Sequence, residues 1–415
     1  MRSTKPGIEE ETKLAPAKRI YLDHNAGAPL LESARQAMID ALSASGNASS
    51  VHGEGRAARQ RINAARRVLA GFVGASPKAV TFTSGGSEAA MTVLTPDWHM
   101  NGKPLTFDRL LVSAVEHPCV LKGGRFAADR VETIPVDGEG LVDLGWLAHR
   151  LGEIAAAGER PFVSVMLANN ETGVLQPVSE IAALTHAAHG LMHSDAVQAL
   201  GKIEIDLATL GADVITLSAH KIGGPQGAGA IVRATDMISF APLITGGGQE
   251  GYARAGTENV AAISGFAAAV EHARAEMAGW PEIAALRDRL QGAMTDFAPS
   301  VRVLSANAPR LPNTLAIAAE GLDAETAVIA FDLAGIAVSS GSACSSGKVG
   351  PSHVLAAMGL DHDMARRGLR ISLGLETTAD EIDRFVAEWR KVAKGLAGAQ
   401  TQQDLKGDSG ESRAA

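Results

Sequence analysis

The sequence predicts an α/β protein with a mostly parallel sheet, followed by a smaller α/β domain. Short runs rich in β-branched residues alternate with amphipathic segments along the first two thirds of the chain, and this alternation is typical of βαβ units. After Pro281 the order of the predicted elements changes. With 415 residues, 46% of them hydrophobic, the chain is long enough for two or three domains with substantial cores.

The first domain is predicted from its alternating strands and helices. The predicted strands are Val80–Thr83, Leu110–Ser113, Val131–Val136, Phe162–Ala168, Leu191–Ser194, Val214–Ser218 and Ala228–Val232. The predicted helices include Arg56–Val73, Leu144–Ala156, Val178–His189 and Glu258–Met277. Ligands of such sheets bind outside the carboxyl ends of the strands, so polar residues that directly follow strands are the first candidates for a site.

The second domain is predicted from a mixed order of elements. Its predicted helices are Glu282–Phe297, Ala324–Leu333 and Ala379–Val392, and its predicted strands are Val301–Ser305, Asn313–Ala318, Ile336–Ser339 and Leu369–Leu373. We therefore expect a large domain over residues 19–280, whose first residues pack on the small domain, and a small domain over residues 281–394. The polar segments 1–18 and 395–415 show no periodicity and are expected to be a disordered arm and a disordered tail.

Composition excludes several classes of protein. The formal net charge of −8 argues against a nucleic-acid-binding surface, which would be basic. No apolar run approaches the roughly 18 residues of a membrane span, and the N-terminal residues are too polar for a signal peptide. Two cysteines, Cys119 and Cys344, cannot form a disulfide framework, so we expect reduced thiols in a cytoplasmic protein.

A Gly-rich turn follows the first predicted strand and opens a helix. The segment Thr83–Glu88 contains Gly85, Gly86 and Ser87. Free backbone N–H groups at a helix N-terminus suit an anion such as phosphate. The same residues also describe an ordinary capped helix start, so both interpretations stay open on this segment alone.

An aspartate and a lysine follow two further strands. Asp195 comes directly after Leu191–Ser194, and His220 and Lys221 follow Val214–Ser218. A desolvated lysine has a lowered pKa and can form a Schiff base, while a carboxylate nearby can keep a pyridine nitrogen protonated. A phosphate turn, an Asp and a Lys on strand ends together predict a pyridoxal-phosphate site.

Two histidine patterns have competing interpretations. His117 follows another predicted strand and either stacks on a flat ring or is a polar loop residue. His186, His189 and His193 have a spacing that resembles a metal site. Gly190 ends the helix between them, so they should not converge, and we predict no metal.

Cys344 lies in the Ser- and Gly-rich segment 339–347. Such a segment has little apolar area to pack, so we expect it to be mobile and exposed. A thiol there suits a nucleophile that enters a site and then leaves it, although an exposed cysteine without a function has the same surroundings. Its pKa of about 8.5 requires a positive group nearby for the thiolate to form.

At this point the motifs resemble a known family. From about Tyr21 to Val392 the chain is similar to the cysteine desulfurases of the NifS/IscS-like type, within the class V aminotransferases of the fold-type I pyridoxal-phosphate enzymes. The motifs that carry the resemblance are Tyr21–Asp23, Gly46–His52, Phe82–Gly85, Asn169–Gly173, Asp195–Gln198, Ser218–Lys221, Gly246–Glu250, Arg254–Asn259 and the Cys344 segment. The chain departs from the family pattern at Gly27, Ala28, Met91, Gln226 and Gly251, none of which is a core catalytic position.

The resemblance implies a fold with a seven-stranded, mostly parallel sheet and a role for each matched residue. Lys221 would hold pyridoxal 5'-phosphate and then act as the base, while Cys344 would receive sulfur from free cysteine as a persulfide. The cofactor would be held by Asp195, Gln198, His117, Gly86, Ser87, Ser218 and His220, with Thr257 reaching over from the second subunit of a homodimer. Asn170 and Arg370 would bind the substrate carboxylate, for which an arginine offers a bidentate fork.

The implied function is conversion of L-cysteine to L-alanine, with the sulfur passed to an acceptor protein such as an IscU/NifU-type iron–sulfur scaffold or to another thiolation pathway. Two alternatives remain. One is a selenocysteine lyase, aminotransferase or β-eliminating lyase of the same fold. The other is a regulator or scaffold that uses the fold without a cofactor.

Overall fold

The computed structural model describes residues 19–297, 301–341 and 350–408, with residues 395–408 described as helix without their side chains. The described strands are β1 Ile20–Tyr21, β2 Val80–Thr83, β3 Asp97–Met100, β4 Lys103–Thr106, β5 Arg109–Ser113, β6 Val131–Ile134, β7 Pro161–Ser164, β8 Leu191–Asp195, β9 Val214–Ser218, β10 Gly229–Arg233, β11 Ile238–Phe240, β12 Val301–Val303, β13 Thr314–Ala319, β14 Ile336–Ala337, β15 Ser339–Ser340 and β16 Leu369–Ser372.

The described helices alternate with the strands of the large sheet and cluster again near the C-terminus. They are α1 Glu32–Leu42, α2 Gly53–Phe72, α3 Gly86–Val93, α4 Pro118–Leu121, α5 Leu144–Ala156, α6 Val178–Ala187, α7 Leu207–Leu210, α8 Val260–Ala275, α9 Trp280–Phe297, α10 Ala324–Leu333, α11 His353–Ala357, α12 His362–Ala365 and α13 Ala379–Asp408.

The large sheet has seven strands in the order β2-β10-β9-β8-β7-β5-β6. All neighbours pair in parallel except β10, which is antiparallel to both β2 and β9. Residues of β8 and β9 are buried throughout, as expected for parallel strands that are covered on both faces. The predicted fold class is confirmed.

The large sheet packs on two hydrophobic clusters. One lies between the sheet and helices such as α2, α6 and α8, with Ile62, Val163 and Phe266 in its core. The other contains Trp98, Phe107 and Phe162. Each such aromatic or aliphatic side chain contributes about 1.5–3 kcal/mol when buried, so the strand ends that carry the site rest on a rigid support.

The second core belongs to the small domain. A sheet in the order β12-β13-β16-β15 packs against α9, α10 and α13, and Phe331 stacks on Phe385 with ring centroids 4.9 Å apart. Ile20 and Leu22 are buried in this same core, because β1 pairs in parallel with β14. The N-terminal strand thus connects the large domain to the small one.

Several elements differ from their predicted bounds. The segment Ile336–Ser339, predicted as one strand, forms β14 and β15 in two different sheets. The last helix was expected to end near Val392, but α13 continues to Asp408, so the first part of the expected tail is helical. Residues 1–18 lie outside the described residues. In the part of the chain that is described, no helix is long and apolar enough to cross a membrane.

Candidate active site

A cavity of about 190 Å³ opens at the carboxyl ends of β8 and β9, beside the N-terminus of α3. This is the place where a doubly wound sheet binds its ligand. The lining includes most of the predicted site residues: Gly86, Ser87, His117, Asn170, Asp195, Gln198, Ser218, His220 and Lys221, together with Cys119, Met166, Ala168 and Val197.

The Gly-rich turn before α3 forms one wall of the cavity. A Cβ atom on Gly229 of β10 would lie 2.6 Å from the Gly85 carbonyl carbon, so only glycine lets the strand approach the turn this closely. Ser84 N–H donates to the Glu88 carboxylate (2.9 Å), and Gly86 and Ser87 of the turn line the cavity. Ser218 lies next to the turn, since a Cβ atom on Gly86 would lie 3.6 Å from the Ser218 Cβ, and Ser218 Oγ is 2.8 Å from His220 Nδ1.

Asp195 ends β8 and is only 8% exposed. Its Oδ1 accepts a hydrogen bond from the Val197 N–H (2.9 Å). Burial raises the pKa of this carboxyl to about 6, although the Val197 amide and the nearby Lys221 act in the opposite direction. Few neighbouring groups stabilise the ionised form of this buried carboxylate. A cation placed in the cavity would therefore stabilise that form strongly.

Lys221 ends the short helical turn that follows β9. Its Nζ donates to the backbone carbonyls of Asn25 (2.7 Å) and Ala26 (2.9 Å). Both acceptors come from the N-terminal segment that connects the two cores. The amine is therefore positioned at the junction between the large domain and the small one, within the cavity lining.

His117 lies at the start of α4, with its ring in the cavity lining. Its Nδ1 accepts a hydrogen bond from the Cys119 N–H (3.3 Å) and is 3.0 Å from Cys119 Sγ. Burial and the positive charge of Lys221 lower the pKa of His117 to about 4, so the ring is neutral at physiological pH. Burial raises the pKa of the Cys119 thiol to about 12.

Arg370 reaches the site from β16 of the small domain and is 1% exposed. It donates to the Asn170 carbonyl (2.9 Å) and to Asp23 Oδ1 (2.7 Å). Its buried Nε–H has no hydrogen-bond partner among the described residues. Through its contact with Asn170, which lines the cavity, the guanidinium lies directly behind the cavity wall.

Cys344 lies in the segment 342–349, outside the described residues. The residues that flank this segment are described and are held beside the site. Ser339 and Ser340 pair with Arg370 and Leu369. On the other side, Ser352 Oγ donates to Glu171 Oε2 (2.5 Å), and burial raises the pKa of Glu171 to about 7.

Two predicted site residues are absent from the described cavity lining: Arg370, which contacts the lining residue Asn170, and Thr257. Thr257 is exposed on the loop before α8 and is absent from the described cavity lining. The three histidines considered for a metal have separate partners, since His186 contacts Asp213 while His193 contacts Ser164 and Thr216. Among the described residues, no cluster of three or more His, Cys, Asp or Glu side chains could hold a metal.

The sequence did not reveal some residues that the fold brings to the site. Asn25 is 1% exposed and contacts Lys221 and Gln198 through its carbonyl, and Lys202 is a buried lysine beside them. Both depend on contacts between distant parts of the chain. Lys202 follows Gln198 by four residues within a series of turns that no described helix includes, so the spacing alone did not indicate the contact.

The cavity fits the predicted cofactor. A pyridine ring between His117 and Asp195 would give the buried carboxylate its cation, and a phosphate would meet Gly86, Ser87, Ser218 and His220. Lys221 Nζ lies in the same lining, where it can bind an aldehyde carbon. The residues present therefore match the ring nitrogen, the phosphate and the aldehyde group of pyridoxal phosphate.

Comparison with known proteins agrees with this geometry. Residues 20–385 match the family model described as aminotransferase class-V. The chain is 42% identical over 376 residues to a cysteine desulfurase of Cereibacter sphaeroides, an alignment that covers 89% of this chain and 94% of the relative. It is 38% identical over 375 residues to the cysteine desulfurase NifS of Azotobacter vinelandii, covering 89% and 91% of the two chains.

The fold is also similar to that of solved structures. The X-ray structure of a NifS-like protein from Rickettsia africae superposes with a TM-score of 0.80 at 33% sequence identity. The match covers 91% of this chain and 99% of the other. The similarity therefore extends over both domains.

Proposed function

The chain belongs to the aminotransferase class-V family and to its cysteine desulfurases, and from this premise we propose that it converts L-cysteine to L-alanine and takes the sulfur on Cys344 as a persulfide. The observation that carries the proposal is the meeting of Lys221, Asp195 and His117 in one cavity, beside the anchored flanks of the Cys344 segment. When bound, pyridoxal phosphate supplies an electron sink for the substrate's α-carbon.

The protein's own groups supply the positioning and the proton transfer. Asp195 would accept a hydrogen bond from the cofactor's ring nitrogen, and the neutral His117 would help to hold the ring. Lys221 would hold the cofactor through its Nζ, and the same Nζ would accept the proton from the substrate's α-carbon. Arg370 and Asn170 would hold the substrate carboxylate, since the Arg370 guanidinium contacts the carbonyl of Asn170, a residue of the cavity lining.

The sulfur-transfer step belongs to Cys344. Its thiolate attacks the substrate sulfur, so that an S–S bond forms while the substrate's C–S bond breaks and leaves its electron pair on carbon. Protonation of that carbon gives alanine, and the sum is cysteine plus thiol to alanine plus persulfide. Cys344 is three positions after Gly341, the last described residue before the segment, so the chain between them spans at most about 10 Å at full extension, which keeps the thiol near the site.

Product analysis with a thiol variant tests this proposal. The protein loaded with pyridoxal phosphate should form alanine and sulfide from L-cysteine in the presence of a reductant. Cys344→Ala should keep the yellow bound cofactor but release no sulfide. An aminotransferase or β-eliminating lyase would not need this thiol, so a Cys344→Ala protein that releases sulfide at the original rate contradicts the proposal. Parallel assays with L-selenocysteine show which of the two substrates is preferred.

We also propose that the working unit is a homodimer with shared sites. Thr257 is exposed and separate from its own cavity, while Arg254 on the same loop pairs with Glu88 of α3 (2.9 Å). A partner subunit's Thr257 would complete the phosphate site. Mixed dimers of Thr257→Ala and Lys221→Ala should regain activity, because one of their two sites contains neither substitution; a monomer in solution would exclude this.

The persulfide sulfur passes to an acceptor, and we propose an IscU/NifU-type iron–sulfur scaffold in the cytoplasm. A persulfide requires a reducing compartment to be discharged rather than oxidised. Transfer of radiolabelled sulfur from the loaded enzyme to a purified scaffold, without release of free sulfide, is the expected result. Equal transfer to any added thiol would argue against a dedicated acceptor.

A further inference from the structure

Lys202 is a lysine in an unusual place. It is 4% exposed, whereas lysines are almost never fully buried without a partner. Its Nζ contacts three oxygens: Gln198 Oε1 (2.8 Å), the Gln198 carbonyl (3.0 Å) and Asn25 Oδ1 (3.3 Å). All three are neutral amide oxygens, so Lys202 has no counterion among these contacts.

These contacts determine which way the Gln198 amide points. Lys202 Nζ can donate a hydrogen bond to Gln198 Oε1, and the Asn25 carbonyl can only accept one, from Gln198 Nε2 (2.9 Å). Exchanging the amide oxygen and nitrogen would place N–H against N–H on one side and two oxygens together on the other. Gln198 therefore presents its N–H₂ group toward Asn25 and the cavity, in which it is a lining residue.

The same carbonyl of Asn25 also accepts from Lys221 Nζ (2.7 Å). A chain of hydrogen bonds thus runs from Lys202 through Gln198 to Asn25, where it meets Lys221. Burial, together with the charges of Lys221 and Arg370, lowers the pKa of Lys202, and Lys202 in turn helps to lower the pKa of His24. The amine donates to Gln198 in either protonation state.

We propose that Lys202 is a positioning residue: it fixes the Gln198 amide so that an N–H faces the cofactor's ring hydroxyl. This inference rests on the proposed function, since it assumes that pyridoxal phosphate occupies the cavity. A hydrogen-bond donor to the ring oxygen stabilises the ionised form of that oxygen. It therefore lowers the pH at which the bound cofactor loses the proton that its ring oxygen shares with the Lys221 nitrogen.

The test is the pH midpoint of the bound cofactor's visible absorption. Lys202→Met removes the donor with a side chain of similar length, and the midpoint should rise by about one pH unit, as expected for the loss of one hydrogen bond. Lys202→Leu is a second apolar replacement in case the first does not fold. Leu290→Ala, in the core of the small domain, is the matched control: it should lower thermal stability and leave the midpoint unchanged.

A double-mutant cycle shows whether Lys202 acts through Gln198. Gln198→Ala should raise the midpoint by at least as much as Lys202→Met, and adding Lys202→Met to Gln198→Ala should change it no further. An unchanged midpoint in Lys202→Met and Lys202→Leu, or a full additional shift in the double variant, would overturn the proposal. Failure of the proposed function is distinct, because the unsubstituted protein would then form no alanine from L-cysteine.

Discussion

On the large-domain side of the cavity, Asp195, Ser218 and Lys221 stand at or just after the ends of buried parallel strands. On the small-domain side, Arg370 comes from an antiparallel strand, and Ser340 and Ser352 flank the segment that contains Cys344. The large-domain side supplies closely packed polar groups with shifted pKa values. The small-domain side supplies a buried arginine and the attachment of the thiol. The residues proposed to hold the cofactor thus belong to the large domain, and the segment proposed to transfer sulfur is attached to the small domain.

The largest effect is expected at Lys221. Lys221→Ala should lower alanine formation by at least about 10³-fold, because both the covalent anchor and the proton-accepting Nζ are lost. Steady-state alanine formation and the visible spectrum provide the measurement. Lys122→Ala removes an exposed lysine and should leave both unchanged. A Lys221→Ala protein with a tenth of the original activity would assign the base to another group.

A second prediction concerns the cost of the buried Asp195 in the cofactor-free protein. Its folded pKa of about 6 lies above the reference value of 3.8, so the folded state binds the proton more tightly than the unfolded state. Its contribution to the free energy of unfolding is therefore largest below pH 4 and is lost as the pH rises to about 6. Above pH 6 the penalty is about 3 kcal/mol, or about 100-fold in the folding equilibrium.

Asp195→Asn removes this penalty. The variant and the original protein, both without cofactor, should have similar free energies of unfolding near pH 4, and the variant should be more stable by about 2–3 kcal/mol at pH 7. Urea unfolding at the two pH values measures the difference. Cofactor affinity should fall at the same time, as expected where activity requires a destabilised site. A stability difference that does not change with pH would mean that Asp195 is not the source of the penalty.

A smaller effect is expected at Arg370. Arg370→Lys keeps the charge but loses the planar fork, so KM for L-cysteine should rise about tenfold while kcat changes less than about threefold. Initial rates over a range of cysteine concentrations separate the two parameters. Arg150→Lys alters a surface pair with Glu132 and serves as the control. A fall in kcat with no change in KM would place Arg370 in the chemical step.

The smallest effect is expected for Cys119, the thiol on the large-domain side. Its pKa of about 12 keeps it protonated at neutral pH, and a thiol is far less nucleophilic than a thiolate. Cys119→Ala should therefore retain sulfide release within about threefold. The colorimetric sulfide assay measures this. If Cys119→Ala abolished sulfide release, as is expected for Cys344→Ala, Cys119 would be required for sulfur transfer.

The sequence predicted the large-domain side better than the junction between the domains. Asp195 and Lys221 follow strongly apolar strands, so their place at the sheet edge follows from local pattern. Ile20–Tyr21 is too short to show a periodicity, and Asn25 acquires its role through contacts with residues more than 170 positions away. Lys202 was missed because its burial runs against the ordinary preference of lysine.

A missed hairpin shows a signal that was present and not used. Strands β3 and β4 are joined by Asn101 and Gly102, both with positive φ (50° and 73°). Asn-Gly is the strongest short sequence signal for a tight hairpin turn, and Asp97–Met100 alternates polar with apolar residues, but Pro104 in the second strand argues against a strand there. The prediction of one strand over Ile336–Ser339 was wrong for a different reason. A change from one sheet to another within an extended run does not alter the local sequence pattern.

The most direct test of sulfur transfer to Cys344 is mass spectrometry of the holoenzyme after a single turnover with L-cysteine. Alkylation followed by digestion should reveal one additional sulfur atom on the peptide that contains Cys344 and none on the peptide that contains Cys119. Lys221→Ala treated in the same way should show no added sulfur on either peptide. Alanine formed in stoichiometric amount while the Cys344 peptide keeps its original mass would contradict the account.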